Sequence, residues 1–339
     1  MVSQGSPGIM GVTLRKGASV NVIETHDLTK RYRRKTAVDH LNMTVAAGDI
    51  YGFVGKNGSG KSTTMKMICG LARPTAGEVV LFGDPANGGA TPQGFSRIGA
   101  LIESPGVITN LSARDNVVTK ALALGLPHAG AVADDLLGLV GLDPADRRRV
   151  KGYSLGMKQR LGLALALVGS PDLLLLDEPF NGLDPEATRA MRLALVRLNH
   201  EHGVTIMISS HVLDQLDRVA TRFGVIAEGH LTAEFTDAEL HERCGSSVRV
   251  RLAEPERGLA LLEQALPGAT LRAEPDGALT VTGVALDEVS AACFAAGVEI
   301  RELSQQERDI EEYFVELMGA QGTAKNPSPT HGEKNGGAR

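Results

Sequence analysis

The sequence predicts an α/β fold: a parallel sheet with helices on its faces, antiparallel strands ahead of it, and a small α+β appendage behind. Three observations carry this. Short continuous apolar runs, DIYGFVG (49–55), DLLLLDEP (172–179) and VTIMISS (204–210), read as strands buried on both faces. Helical stretches separate them, which implies parallel crossovers. Segments at either end instead alternate apolar and polar residues, as half-exposed antiparallel strands do.

In chain order, residues 1–19 are rich in Gly and Ser and read as a flexible leader. VNVIETHDLTKRY and LNMTV follow, the second with Leu41, Met43 and Val45 on one face. After the buried run 49–55, TTMKMICGLARP (63–74) reads as a helix with Gly70 and Pro74 beyond its last turn. IGALIESPG (98–106) is a short apolar run that stops at Glu103. Residues 110–152 read mostly as helix. SARD (112–115) matches a capping box, and NVVTKALAL has helical spacing. The main domain is placed at 20–240, with a helical subdomain at about 104–165.

Past residue 240 the character changes. SSVRVRL alternates, with Val248, Val250 and Leu252 on one face. RGLALLEQALPG and LDEVSAACFAAG read as short helices, with ALTVTG as a strand between them. SQQERDIEEYFVELM is expected to open a helix at a capping box, Ser304 to Glu307, with Ile310, Phe314 and Leu317 on one face. This appendage is placed at 241–320. The polar stretch 321–339 has no apolar stripe and is expected to be disordered.

Composition narrows the function. The 339 residues, 42% hydrophobic, suffice for two ordinary domains or one large domain with an appendage. A net charge of −5 argues against a general nucleic-acid binder. Cys69, Cys244 and Cys293 share no close spacing, so neither a disulfide framework nor a zinc site is implied, and a reducing compartment fits. The first residues lack a secretory pattern. No run reaches the roughly 20 apolar residues that span a bilayer. The nearest, LGLALALVGSPDLLLLDEP, is broken by Ser170, Pro171 and Asp172. A soluble cytoplasmic protein is expected, meeting membranes only through a partner.

The chemistry begins at GKNGSGKST (55–63). Gly55, Gly58 and Gly60 permit backbone angles that aim several N–H groups into one concavity, at a helix N-terminus that favours an anion. Lys61 would reach the β- and γ-phosphates and Ser62 would ligate Mg²⁺, with Asn57, Ser59 and Thr63 completing the loop. Asp177 ends an apolar strand, where it could hold the Mg²⁺ water shell. Glu178 follows and could orient and deprotonate an attacking water. A surface acidic pair capping a strand is the bland alternative. YSLGMKQR (153–160) is a helix start, with Ser154 as N-cap and Gly156 leaving the helix mouth open. NGLDP (181–185) is a turn by composition. ISSH places His211 at the end of the third apolar strand.

In this order the motifs resemble the ATP-binding subunit of ABC transporters, from about Val20 to Leu231. The resemblance implies a P-loop NTPase core with an antiparallel β subdomain and a helical subdomain, using ATP and Mg²⁺. Gly55 to Thr63 fall on Walker A, Asp177 and Glu178 on Walker B and the catalytic base, Asp184 on the D-loop, and His211 on the switch histidine. Ser154, Gly156 and Gln159 fall on the signature region that touches ATP across a dimer. Tyr32 falls where adenine stacks on an aromatic ring, worth about 1–3 kcal/mol, and Val38 joins it among the nucleotide-binding positions. Glu103 stands where the family normally carries a glutamine that touches the Mg²⁺ site. A carboxylate there adds full charge near a hard cation. With YSLGMKQRLGLA, this glutamate looks like the bacitracin/lantibiotic-resistance branch. Lys56 departs from a usual proline. Leu155 and Met157 depart from the Gly and Gln of a Leu-Ser-Gly-Gly-Gln signature.

The expectation is an ATPase that acts as a homodimer and powers a separate transmembrane permease, exporting a drug or antimicrobial peptide. One alternative is a non-transport ABC ATPase on ribosomes or nucleic acid, which would generally carry two cradles or a long coiled-coil insertion. Another is a non-hydrolysing regulatory module, against which Glu178 and His211 both argue. The permease sets the substrate. The appendage could support dimerisation or regulation.

Overall fold

The computed structural model describes residues 21–86, 92–244, 246–307 and 310–319. The expected leader and tail lie outside the described residues. β1 (Asn21–Tyr32) and β2 (Lys35–Ala46) form an antiparallel pair, and β4 (Ala76–Leu81) and β5 (Asp84–Pro85) extend it in the order β2-β1-β4-β5. Leu41, Met43 and Val45 alternate along β2 and are buried, as that alternation requires, together with Ile23 and Leu28 of β1, whose pairing shifts register between them.

The second sheet holds β3 (Ile50–Val54), β6 (Ile98–Leu101), β7 (Leu173–Asp177), β8 (Thr205–Ser210), β9 (Arg222–Ala227) and β10 (His230–Thr236). Its order is β10-β9-β3-β8-β7-β6, parallel throughout except for β10. Every residue of β3, β7 and β8 is buried, which is why these strands read as unbroken apolar runs. Their side chains divide between two cores. Leu173, Leu175 and Met207 join the core beneath the antiparallel sheet, with Met65 and Ile68 of α1 (Lys61–Ile68). Leu174, Leu176, Ile206 and Ile208 face a larger core on the other side. That core takes Leu161 and Leu163 of α5 (Leu155–Leu167) and Met191 and Leu195 of α6 (Pro185–His202).

α2 (Pro92–Ser96) precedes β6, and α3 (Ala113–Ala123) and α4 (Ala129–Leu139) pack beside α5. At the N-cap of α3, the Ser112 hydroxyl accepts from the Asp115 amide at 3.1 Å and donates to the Asp115 carboxylate at 2.7 Å. Residues 110–152 are mostly helical, as the sequence reads, but 143–149 are not. Asp143 and Asp146 accept bonds from the amides two residues on, Ala145 and Arg148, and such local bonds compete with helix. Only a short 3₁₀ turn, Val150–Gly152, follows before α5. α7 (Asp214–Asp217) lies between β8 and β9, and α8 (Asp237–Cys244) follows β10.

The appendage runs β11 (Ser246–Leu252), α9 (Pro255–Ala265), β12 (Thr270–Ala273), β13 (Leu279–Thr282), α10 (Leu286–Ala295) and β14 (Ile300–Glu307). This β-α-β-β-α-β unit forms an antiparallel sheet in the order β12-β13-β11-β14, a split βαβ arrangement. Val248, Val250, Leu262, Val281, Val289 and Cys293 are its core.

Two expectations for the C-terminal region are corrected. Ser304 to Glu307 form no capping box; they belong to β14, with Ser304 opposite Arg249 of β11. Their pairing with β11 sets an extended backbone, and tertiary pairing overrides the local signal. The helix begins later, as α11 (Ile310–Gly319), and packs on the main domain rather than on the appendage. Phe314 is 1% exposed, with its ring centroid 5.9 Å from that of Phe223 on β9 and 5.4 Å from that of Phe235 on β10. Phe314→Ala should therefore destabilise the main domain by about 3–5 kcal/mol, the usual loss for a buried phenylalanine. Denaturant unfolding of the full chain checks this; a midpoint equal to wild type would mean that α11 contributes nothing to that core.

Candidate nucleotide-binding and hydrolysis site

β3 ends at Val54, and the chain turns through Gly55–Gly60 into α1. Glycine is required at two points of this turn. A Cβ on Gly55 would lie 2.4 Å from the Ile226 carbonyl oxygen. Gly60, the N-cap of α1, has φ 117°, and a Cβ there would lie 2.7 Å from the Ala37 carbonyl oxygen. The loop closes over Lys61, which is 5% exposed. Its ammonium donates to the Gly55 carbonyl at 2.6 Å and the Lys56 carbonyl at 3.3 Å, and lies 3.3 Å from Glu178 Oε1. A cavity of about 330 Å³ opens here between Tyr32, Asn57, Lys61, Ser62, Thr63 and Glu178.

β7 and β8 bring in the carboxylates. Asp177, the last residue of β7, is 7% exposed and accepts from the Ser209 hydroxyl at 2.6 Å. Glu178 follows at φ 50°. Its amide donates to the Ser209 hydroxyl at 3.0 Å, and His211 Nδ1 lies 2.8 Å from its Oε2. One carboxylate oxygen thus faces Lys61 and the other His211. Buried Ser59 Oγ and Glu178 Oε1 have no hydrogen-bond partner among the described residues. The set fits a magnesium nucleotide: loop amides and Lys61 for phosphate, and the Ser62 hydroxyl and Asp177 carboxylate as hard oxygen donors.

The ABC transporter family model matches residues 38–181. The bacitracin transport ATP-binding protein BcrA of Bacillus licheniformis is 37% identical over 300 residues, covering 88% of this chain and 97% of that protein. The chain belongs to the ABC transporter ATP-binding family. This ABC ATPase is also 40% identical over 213 residues to the lantibiotic transport ATP-binding protein SrtF of Streptococcus pyogenes, covering 63% of this chain and 90% of that one. A solved ATP-binding subunit of an ABC transporter shares 28% identity and a TM-score of 0.58, spanning 66% of this chain and 93% of that one. A second family model, for a domain of unknown function, matches residues 246–311 of the appendage.

The remaining sequence-selected residues of the ABC ATPase are placed unequally. Tyr32 lines the cavity, 48% exposed, with the Lys30 ammonium 4.9 Å from its ring centroid. Val38 does not line it. Val38 is fully buried behind Gly60, while Lys35 and Ala37 face the cavity. Strand alternation separates these faces and could have distinguished Ala37 from Val38 in the sequence. Glu103 sits just beyond β6 at φ 65° and does not line the cavity either. Its carboxylate pairs with the Lys66 ammonium on α1. That hydrogen bond raises the Lys66 pKa, with a smaller contribution from the charge of Asp177.

Ser154 caps α5, accepting from the Met157 amide at 3.3 Å, and Leu155 beside it is 48% exposed. Gly156 is buried next to Ala187 of α6. Gln159 turns into the protein, 8% exposed, with Oε1 unpartnered among the described residues. Asp184 caps α6, accepting from the Ala187 amide at 2.7 Å. Sequence reading passed over Ser209, although a serine ending an apolar strand beside the Asp-Glu strand was a visible signal.

The phosphate loop gives a direct test. Gly60→Ala forces a side chain into a left-handed conformation against a backbone carbonyl, a strain of about 1–3 kcal/mol. Titration with a fluorescent ATP analogue should show affinity reduced by about tenfold or more. Unchanged affinity would contradict this reading of the cradle.

Proposed function

We propose that this ABC ATPase binds MgATP in the Gly55–Thr63 loop, closes as a homodimer around it, and drives a separate transmembrane permease that exports a peptide antibiotic or related drug. The observation that carries the hydrolytic part is Glu178, held between Lys61 and His211 beside the phosphate loop. On nucleotide entry Lys61 exchanges the Gly55 and Lys56 carbonyls for phosphate oxygens, and the loop amides take the rest of the anion. Tyr32 stacks the base. Ser62 and Asp177 would hold Mg²⁺, which neutralises phosphate charge. Glu178 accepts the proton of the attacking water, and His211 orients its carboxylate. Ser154 and the Gly156 amide close over the γ-phosphate held by the partner subunit, with Gln159 and Asp184 in the elements that shape that contact.

The export reading is supported by the relatives named for bacitracin and lantibiotic transport. Among the described residues no helix is long and apolar enough to cross a membrane. The permease would supply the crossing and hold this subunit at the inner face of the cell membrane. No nucleic-acid partner is proposed, in keeping with the acidic net charge of −5.

Glu178→Gln should cut phosphate release by about 10²–10⁴, the usual worth of a general base, keep ATP binding, and accumulate an ATP-bound dimer on size exclusion. Lys61→Ala hydrolysing ATP at the wild-type rate would refute the assignment of the loop. For Glu103, a carboxylate released from Lys66 would add full charge near Mg²⁺ and repel the γ-phosphate when the metal is absent, which makes nucleotide closure more metal-dependent than a glutamine would. ATP affinity measured against free Mg²⁺ should differ in slope between wild type and Glu103→Gln; superimposed curves would end that idea.

A further inference from the structure

Ser209 follows the apolar run Ile206–Ile208 as the penultimate residue of β8 and is fully buried. It stands directly opposite Asp177 in the parallel β7–β8 register. A buried hydroxyl needs partners, and this one has two, both belonging to the carboxylate pair. Its proton goes to Asp177 Oδ1 at 2.6 Å, and its oxygen accepts the Glu178 N–H at 3.0 Å. The Ser209 carbonyl also accepts that amide, at 3.2 Å. Glu178 sits in the left-handed region, at φ 50°, where a residue with a long side chain is uncommon. The amide's bonds to Ser209 hold the chain in that turn, and the turn aims the Glu178 carboxylate between Lys61 and His211.

We propose that Ser209 is a positioning residue of ATP hydrolysis: one hydroxyl fixes the Asp177 carboxylate for the metal and the Glu178 backbone for the attacking water. The proposal rests on the roles given above to Asp177 and Glu178. A space-filling role would need no hydroxyl, since alanine or valine suits a buried parallel strand. A hydroxyl engaged on one side only would locate a single carboxylate. Here the donor and the acceptor capacity are spent on consecutive residues with different tasks, so removing the oxygen frees the Asp177 carboxylate and leaves the Glu178 amide only its bond to the Ser209 carbonyl.

Full-length Ser209→Ala and Ser209→Thr test this. Steady-state phosphate release gives kcat and KM. Electron paramagnetic titration with Mn²⁺ in the presence of ATP reads the metal site independently of turnover. Binding of a fluorescent ATP analogue without metal confirms that each variant is folded. Ser209→Ala should lower kcat by about 10- to 100-fold, the scale of a lost hydrogen bond to a charged group. KM should stay near wild type, the Mn²⁺ concentration at half-saturation should rise, and metal-free nucleotide binding should be unchanged. Ser209→Thr, which keeps the hydroxyl, should restore both kcat and Mn²⁺ affinity. Wild-type kcat and Mn²⁺ affinity in Ser209→Ala would overturn the proposal. So would a fall in kcat with unmoved Mn²⁺ affinity and no rescue by threonine, which is the signature of packing alone. Asp177→Asn and Glu178→Gln run alongside. Wild-type turnover in both would refute the carboxylate assignments themselves, whereas their inactivity beside an unaffected Ser209→Ala would refute only the role of Ser209.

Discussion

The parallel pairing of three adjacent strands is the constraint on which the site depends. Val54 pairs with Ser210 and Asp177 with Ser209, so β3, β8 and β7 end within one residue of one another at the same end of the sheet. The residues that follow these ends are Gly55, His211 and Glu178. They converge because the strands are neighbours, although they lie far apart in sequence. The two-sided burial of β3, β7 and β8 locks that alignment. Alternate leucines of β7 enter different cores, and a slip of one residue would exchange them. Such a slip would also carry Asp177 away from Ser209.

This arrangement explains which features were legible in the sequence. Strands buried on both faces show as apolar runs, and a phosphate loop needs glycines at fixed spacing, so β3, β7, β8 and the turn at Gly55–Gly60 could be read directly. The ordered motifs resolved the family because each sits at a strand or helix end with its own composition. What failed was local reading where distant contacts decide. Ser304 to Glu307 have the residues of a helix cap but are claimed by β11. Within the mostly helical span 110–152, Asp143 and Asp146 accept bonds from the amides two residues on and interrupt the helix. Val38 and Ala37, by contrast, could have been told apart, because strand alternation puts only Ala37 on the cavity face. The partner of Glu103 in this structure was not legible: a lysine of α1, four residues beyond Ser62, engages it. No sequence pattern announces that pair, because its two members come from separate elements.

The charges of the site are paired with one another in the structure described. Lys61 is too deeply buried to be satisfied by water, and its ammonium lies on two loop carbonyls and near Glu178. A buried ammonium without such partners would be costly. These contacts occupy the cation that a phosphate would take and one oxygen of the carboxylate that a water would meet. Under the proposed function, nucleotide entry would be an exchange of partners rather than a filling of empty space, and the movement that frees Lys61 for phosphate would free Glu178 Oε1. His211 Nδ1, 2.8 Å from Oε2, engages the other oxygen of the carboxylate.

The appendage joins this core at both of its ends. α8 leads into β11 and contacts β10, and α11 follows β14 and contacts β9, β10 and α8. Phe314 and Tyr313 interleave with Phe223 and Phe235, so the final helix is continuous with the hydrophobic core on which the catalytic sheet rests. β9 in turn is the direct neighbour of β3, the strand that delivers the phosphate loop. A domain carried on one linker swings by default; one whose entry and exit helices both bury side chains against the same strand edge is far more restricted. The physical connection between the appendage and the nucleotide site is thus short: from α11 to Phe223, from β9 to β3, and from Val54 into the cradle.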